Sequence, residues 1–205
     1  MEALVFHGYG QSAFVAHARW NTTFEKMGIN ATYLEAPINV TNKKGEPGRG
    51  WFTWENSDLP IYKSEKHIGI KETLEYVHNY VQKNKPRKLI IGYSQGGTFV
   101  SVFVDQYQIE YTHLIIISSY ESLDKDYKVQ KLPNCKILLV VGNNDETVPK
   151  DYTLNIYRSL ISGDTLCPNK LDGFKDKVQI YEHNGTHAMP LDKKFIEFVK
   201  KWLSE

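Results

Sequence analysis

The stretch Leu89-Ile90-Ile91-Gly92-Tyr93-Ser94-Gln95-Gly96-Gly97 decides how this chain is read. Three large apolar residues make a buried strand, and Gly92 to Gly96 then spell G-x-S-x-G. No turn residues separate that motif from the helical pattern of Gln95–Tyr107. A strand, a tight turn and a helix in immediate succession are the setting of a nucleophile elbow. The turn is strained, so its neighbours must be small if the Ser94 hydroxyl is to stand clear. The Gln95 amide, at the helix N-terminus, then points at a developing oxyanion. An ordinary strand-to-helix turn would carry the same residues, so the rest of the chain has to discriminate.

Outward from the elbow, short apolar runs rich in β-branched residues alternate with helical patterns. Strands are expected at Ala3–Phe6, Ala31–Leu34, Lys88–Tyr93, His113–Ser118, Lys136–Val141 and Val178–Glu182. Several are apolar throughout, as strands covered on both faces are. Helices are expected at Ala16–Met27, closed by Gly28; at about Ser64–Lys83, followed by Pro86; at Gln95–Tyr107; at Asp151–Ile161, before Gly163; and at Asp192–Leu203, opened by an Asp cap. Six strands with intervening helices predict a three-layer α/β domain with a mostly parallel sheet, spanning residues 1–205 as one unit. Two connections are long for such units, Pro37–Lys63 and Gly163–Lys177, and Ser119–Asn134 is polar with room for a short turn of helix.

A serine is inert without a base and an orienting acid. In hydrolases of this plan the acid follows a later strand and the histidine follows the last. Here Lys136–Val141 leads into Gly142-Asn143-Asn144-Asp145-Glu146, and Val178–Glu182 leads into His183-Asn184-Gly185-Thr186-His187. Asp145 and His187 therefore join Ser94 as candidate catalytic residues, on loops at C-terminal strand ends, where open α/β sheets build their sites. Glu146 is the competing acid; Asp145 is preferred because it comes first after the turn. His183 is the competing histidine. With His187 it makes an H-x-x-x-H spacing, but the Asn-Gly between them opposes a helix, so no metal site is read there.

His7-Gly8-Tyr9-Gly10-Gln11-Ser12 follows the first strand. A His-Gly turn in this place supplies a backbone N–H, here that of Tyr9, which with the Gln95 amide would form an oxyanion hole. His7 reads as structural. The same stretch, Gly8-Tyr9-Gly10-Gln11-Ser12-Ala13, also satisfies the dinucleotide-binding pattern G-x-G-x-x-G/A, with Glu35 at the end of strand two. A nucleotide-binding protein is thus an alternative, though it leaves Ser94, Asp145 and His187 unexplained. A hydrolase fold that binds without catalysis is a second.

The loop Pro37–Lys63 carries Trp51, Phe52 and Trp54, expected with Met189 to wall a substrate pocket. Alternate residues of an extended segment point opposite ways, so at least one of the three rings should be exposed or line a cavity. With Lys+Arg 25 against Asp+Glu 24 the net charge is +1, which argues against nucleic acid or an anionic membrane as partner. Two cysteines, Cys135 and Cys167, make no disulfide framework and fit a reducing compartment. No run reaches the roughly 18 apolar residues of a membrane helix. A strand that starts almost at once leaves no room for a signal peptide, so a cytoplasmic protein is expected.

Taken together, Phe6-His7-Gly8-Tyr9-Gly10-Gln11-Ser12, Leu34-Glu35-Ala36-Pro37, Gly92-Tyr93-Ser94-Gln95-Gly96-Gly97, Gly142-x-x-Asp145-x-x-Val148-Pro149 and Gly185-x-His187-x-x-Pro190 resemble the FSH family of serine hydrolases. These are compact α/β-hydrolases related to carboxylesterases and acyl-protein thioesterases. The resemblance spans Phe6 to the last helix. It implies Ser94 as nucleophile, His187 as base, Asp145 as its partner and the Tyr9 and Gln95 amides as oxyanion hole. It also implies six strands in the order 2-1-3-4-5-6, hydrolysis of a small-molecule ester or thioester, and no cofactor. Gly-Thr-His at 185–187 departs from the Gly-Gly-His more typical of the family.

Overall fold

The computed structural model describes residues 1–42, 44–55, 58–84, 87–107, 109–131, 134–158 and 177–205. Its framework is a six-stranded sheet built from β1 (Glu2–Phe6), β2 (Asn30–Leu34), β7 (Leu89–Tyr93), β8 (His113–Ile117), β9 (Lys136–Gly142) and β10 (Val178–His183). Every neighbouring pair is parallel, and the spatial order β2-β1-β7-β8-β9-β10 is 2-1-3-4-5-6 counted along the six.

The alternation of side chains along each strand sorts the apolar residues into two cores. Ala3, Val5, Leu89, Ile91, Ile115 and Ile117 pack with Trp20 of α1 (Ala13–Lys26) and with Phe195, Val199 and Trp202 of the last helix. Leu4, Phe6, Ile90, Leu114 and Ile116 pack on the other side with Leu74 and Val77 of α2 (Ile70–Lys83) and Phe99 and Phe103 of α3 (Gln95–Gln106). α4 (Lys150–Asn155) follows β9, and α5 (Lys193–Ser204) closes the chain. Strands buried on both faces read as continuous apolar runs for this reason.

Element ends differ from the sequence expectation in ways that bear on the site. α1 begins at Ala13, not Ala16, because Ser12 caps it by accepting from the Val15 amide at 3.2 Å. α2 begins only at Ile70. The preceding residues are diverted into a short strand β6 (His67–Ile68), and Gly69 at φ 77° makes the turn into the helix. The connection Pro37–Lys63 is not a plain loop. It forms an antiparallel ribbon of β3 (Ile38–Thr41) and β4 (Pro47–Gly50), then β5 (Thr53–Trp54), which pairs with β6. The polar stretch after β8 does hold one 3₁₀ turn, Lys125–Tyr127. Residues 159–161 of the fourth expected helix and 163–176 of the second long connection, with Cys167, lie outside the described residues, as does Pro86.

Candidate active site

Ser94 sits between β7 and α3 at φ 52°, one of two non-glycine residues with positive φ among those described. Such a conformation costs about 1–3 kcal/mol and persists only where the surroundings impose it. They do: the Ser94 amide donates to the Ile117 carbonyl at 2.9 Å, and the Ser94 carbonyl accepts from the Gly97 amide at 2.9 Å and the Ser119 hydroxyl at 2.8 Å. The flanking glycines are required by close approach. A Cβ on Gly92 would meet the Gly97 Cα at 2.6 Å, and one on Gly96 would meet the Phe6 and His7 carbonyl oxygens. The helix can therefore start directly on the strand only with hydrogen at both positions.

The structure brings all three candidate side chains together. His187 Nε2 lies 3.0 Å from Ser94 Oγ, and His187 Nδ1 lies 2.7 Å from Asp145 Oδ2. An ionised carboxylate can only accept, so Nδ1 carries the ring proton and Nε2 is the acceptor for the serine hydroxyl. The other oxygen, Asp145 Oδ1, accepts from the Thr147 and Val148 amides at 3.0 and 2.8 Å. Burial alone would raise the Asp145 pKa, but the hydrogen bonds from His187, Val148 and Thr147 outweigh it and hold the carboxyl below its ordinary value. Asp145 is 7% exposed, whereas the rival Glu146 faces solvent. The rival His183 takes the Gly185 amide on its Nδ1 at 3.1 Å.

The acid and histidine loops are zipped to each other. The Asn143 amide donates to the His183 carbonyl, the Asn144 amide to Gly185, and the Asn144 side-chain amide to the Asn184 carbonyl at 2.7 Å. Tyr93, the residue before the nucleophile, donates its hydroxyl to the His187 carbonyl at 2.8 Å. Burial, with the negative charge of Asp145 behind it, pushes the Tyr93 phenol far upward and keeps it a donor.

The turn after β1 has a selective pattern of satisfied amides. The Gly8 amide donates to Gln11 Oε1, the Gly10 amide to the Arg49 carbonyl, and the Gln11 amide to the Gly8 carbonyl. Among the described residues, neither the Tyr9 nor the Gln95 amide has an acceptor in the protein. His7 is buried, accepting from the Ala36 amide on Nε2 and donating from Nδ1 to the Gly8 carbonyl. It is a structural post, neutral because burial lowers its pKa.

The same details weigh against a phosphate cradle at Gly8–Ala13. Three of the loop's amides are already engaged, and Glu35, the supposed ribose acid, accepts from the Ala13 amide at 2.8 Å and faces Arg49 at 3.4 Å. A carboxylate already occupies the helix N-terminus to which a phosphate would bind.

The pocket expectation needs correction for three residues. Trp51, Phe52 and Met189 are core side chains, at 0%, 0% and 4% exposure. Trp51 stacks on Phe99 with ring centroids 5.0 Å apart, Phe52 stacks on His67 at 4.1 Å, and Met189 belongs to the core beneath α1 and α5. The expectation that at least one of the three rings is exposed holds, through Trp54, but strict alternation does not apply at residues 51 and 52, which form the break between β4 and β5, so these neighbours both turn inward. Trp54 alone is half-exposed, edge-on to Tyr9 at 5.1 Å. Among the described residues no group of three His, Cys, Asp or Glu side chains could hold a metal ion, and no helix is long and apolar enough to cross a membrane.

Four supports were not foreseen: the side chains of Gln95, Tyr93, Ser119 and Thr153. None of them left a signal in the sequence, because each reaches its partner only in the folded core.

The chain is similar to known proteins along nearly its whole length. The family model described as serine hydrolase (FSH1) matches residues 1–199. The chain is 24% identical to Family of serine hydrolases 3 of Saccharomyces cerevisiae, covering 98% of this chain and 83% of that one. It is 23% identical to an esterase of Drosophila pseudoobscura pseudoobscura over 93% of this chain and 66% of the other. Among solved structures, Zea mays acyl-protein thioesterase 2 superposes with a TM-score of 0.67 at 18% identity, covering 99% of this chain and 92% of that one. An Arabidopsis thaliana SOBER1 variant gives 0.66 at 20% identity, covering 100% and 98%. At such identities these structures speak for the α/β-hydrolase fold alone. The match along residues 1–199 does more: the chain belongs to the FSH1 family of serine hydrolases.

Proposed function

We propose that this chain hydrolyses carboxylic esters or thioesters of small acyl substrates through Ser94, His187 and Asp145, within one domain of residues 1–205. The observation that carries the reading is the His187 ring, which spans Ser94 Oγ at 3.0 Å and the Asp145 carboxylate at 2.7 Å. As Ser94 Oγ attacks the acyl carbon, His187 Nε2 takes its proton. Asp145 holds the ring in the required tautomer and balances the imidazolium. The carbonyl π electrons move onto oxygen, and the Tyr9 and Gln95 amides receive that charge. Collapse of the tetrahedral species breaks the bond to the leaving alcohol or thiol, which takes its proton from His187. A water, deprotonated by the same nitrogen, then frees the acid and restores Ser94. The reaction needs no cofactor.

The near-balanced charge and the absence of a membrane-crossing helix among the described residues are consistent with a small-molecule substrate and a cytoplasmic enzyme. Labelling by a fluorophosphonate probe, with turnover of p-nitrophenyl esters, tests the reading. Wild type should react at one serine, and Ser94→Ala should lose both signals with its fold intact. Full turnover by Ser94→Ala would refute it.

A further inference from the structure

The Tyr9 and Gln95 amides lie on separate strand ends, and an oxyanion hole works only if its donors are held at fixed separation. One continuous buried path joins them. The Gln95 side chain accepts from the Trp51 amide on Oε1 at 2.9 Å and donates from Nε2 to the Phe52 carbonyl at 2.6 Å. The Trp51 indole then donates from Nε1 to the His7 carbonyl at 2.8 Å, two residues before Tyr9. His7, Trp51 and Gln95 are each 0% exposed.

We propose that Gln95, through Trp51, is a positioning residue that sets the spacing of the two oxyanion donors. The inference rests on the serine-hydrolase reading above and extends it to a side chain that touches neither substrate nor reacting atoms. The chemistry of the path selects glutamine. Residues 51 and 52 lie between two ribbons, so the Trp51 N–H and Phe52 C=O lack partners from a β-ladder. One buried group must accept from the first and donate to the second, and a primary amide does both. An ionised glutamate would repel the Phe52 carbonyl, and a methionine of similar shape would leave both groups unpaired. The indole must remain an N–H donor, since a phenyl ring would fill the same space without reaching the His7 carbonyl. The turn bearing Tyr9 is held from its other side by the pairing of Gly10 and Gln11 with Arg49, so the brace closes a ring around the donor.

The test uses the full chain with Gln95→Met and Trp51→Phe. It measures kcat and KM on p-nitrophenyl acetate, inhibition by an alkyl trifluoromethyl ketone and thermal unfolding. The ketone forms a tetrahedral adduct bearing the oxyanion, so its affinity reads the donors directly. Both variants should lose on the order of 10- to 100-fold in kcat, with KM within about threefold and ketone affinity falling in parallel with kcat/KM. Either folded variant keeping kcat and ketone affinity within about twofold of wild type would overturn the brace. So would a loss confined to KM or melting temperature, which marks packing alone. If Gln95→Met fails to fold, Trp51→Phe, which keeps a ring in place, decides by the same criteria. Ser94→Ala runs alongside. Hydrolysis surviving there refutes the underlying reading, whereas Ser94-dependent hydrolysis with undiminished Trp51→Phe refutes only the brace.

Discussion

Thr153 and Ser119 are joined by a reciprocal pair of buried hydrogen bonds: the Thr153 hydroxyl donates to the Ser119 carbonyl at 2.6 Å and accepts from the Ser119 amide at 2.8 Å. Ser119 in turn donates its hydroxyl to the Ser94 carbonyl. The helix that follows the Asp145 loop is thereby tied to the support under the strained serine. Thr153→Val keeps the shape and leaves a buried amide and carbonyl unpaired, each at about 1–3 kcal/mol. Urea unfolding should therefore show a loss of roughly 2–6 kcal/mol, with reduced kcat. Stability within about 0.5 kcal/mol of wild type would show that the pair holds nothing in place.

The choice between the two adjacent acids is testable in one comparison. Asp145→Asn preserves the geometry but removes the acceptor that fixes the His187 tautomer, and kcat should fall on the order of 10⁴-fold. Glu146→Gln, exposed and outside the cluster, should stay within about twofold. The reverse ranking in kcat would assign the acid to Glu146.

Trp51 and Trp54 should separate stability from substrate choice. Trp51→Ala empties a fully buried site and should cost about 3–5 kcal/mol in chemical unfolding. Trp54→Ala removes a half-exposed ring beside Tyr9. It should leave stability within about 1 kcal/mol, keep acetyl-ester turnover within roughly tenfold, and shift the chain-length preference. The measurement is kcat/KM over p-nitrophenyl esters from acetyl to lauryl, and an unchanged profile would take Trp54 out of the acyl pocket.

His67 should make the protein weaker in mild acid. Burial, only partly opposed by Asp124, pushes its pKa down to about 4, whereas an unfolded histidine protonates near 6.5. Between those values the unfolded chain binds the extra proton and the folded one does not, so stability falls as pH drops from about 6.5 toward 4. Above that window the group contributes no slope. His7 and His183, also lowered by burial, add to the same trend. Urea midpoints at several pH values should decline less steeply for His67→Gln than for wild type; parallel curves would mean His67 is not the source.

The six strands and the candidate residues Ser94, Asp145 and His187 were legible in the chain's own pattern, whereas the strand order followed only from the resemblance to the FSH family. Strands covered on both faces leave apolar runs that need no partner to be recognised, such as Leu114–Ile117; Ser94 follows one such run directly, and Asp145 and His187 lie on the loops just past β9 and β10. Residues at the C-terminal ends of parallel neighbours converge wherever the sheet closes correctly. The positions of Trp51 and Phe52 were not legible, because periodicity speaks only for regular elements and these two lie at the break between ribbons. Nor was the late start of α2, where pairing of His67–Ile68 with Thr53–Trp54 overrides a helical pattern that runs back to Ser64. The bracing of the site was invisible for a related reason. Gln95 meets Trp51 from 44 residues away and Thr153 meets Ser119 from 34, through irregular backbone whose unpaired amides and carbonyls take whichever side chain the folded core brings to them. Local pattern determines which groups this protein has for its chemistry; burial of those distant polar pairs determines how firmly they are held.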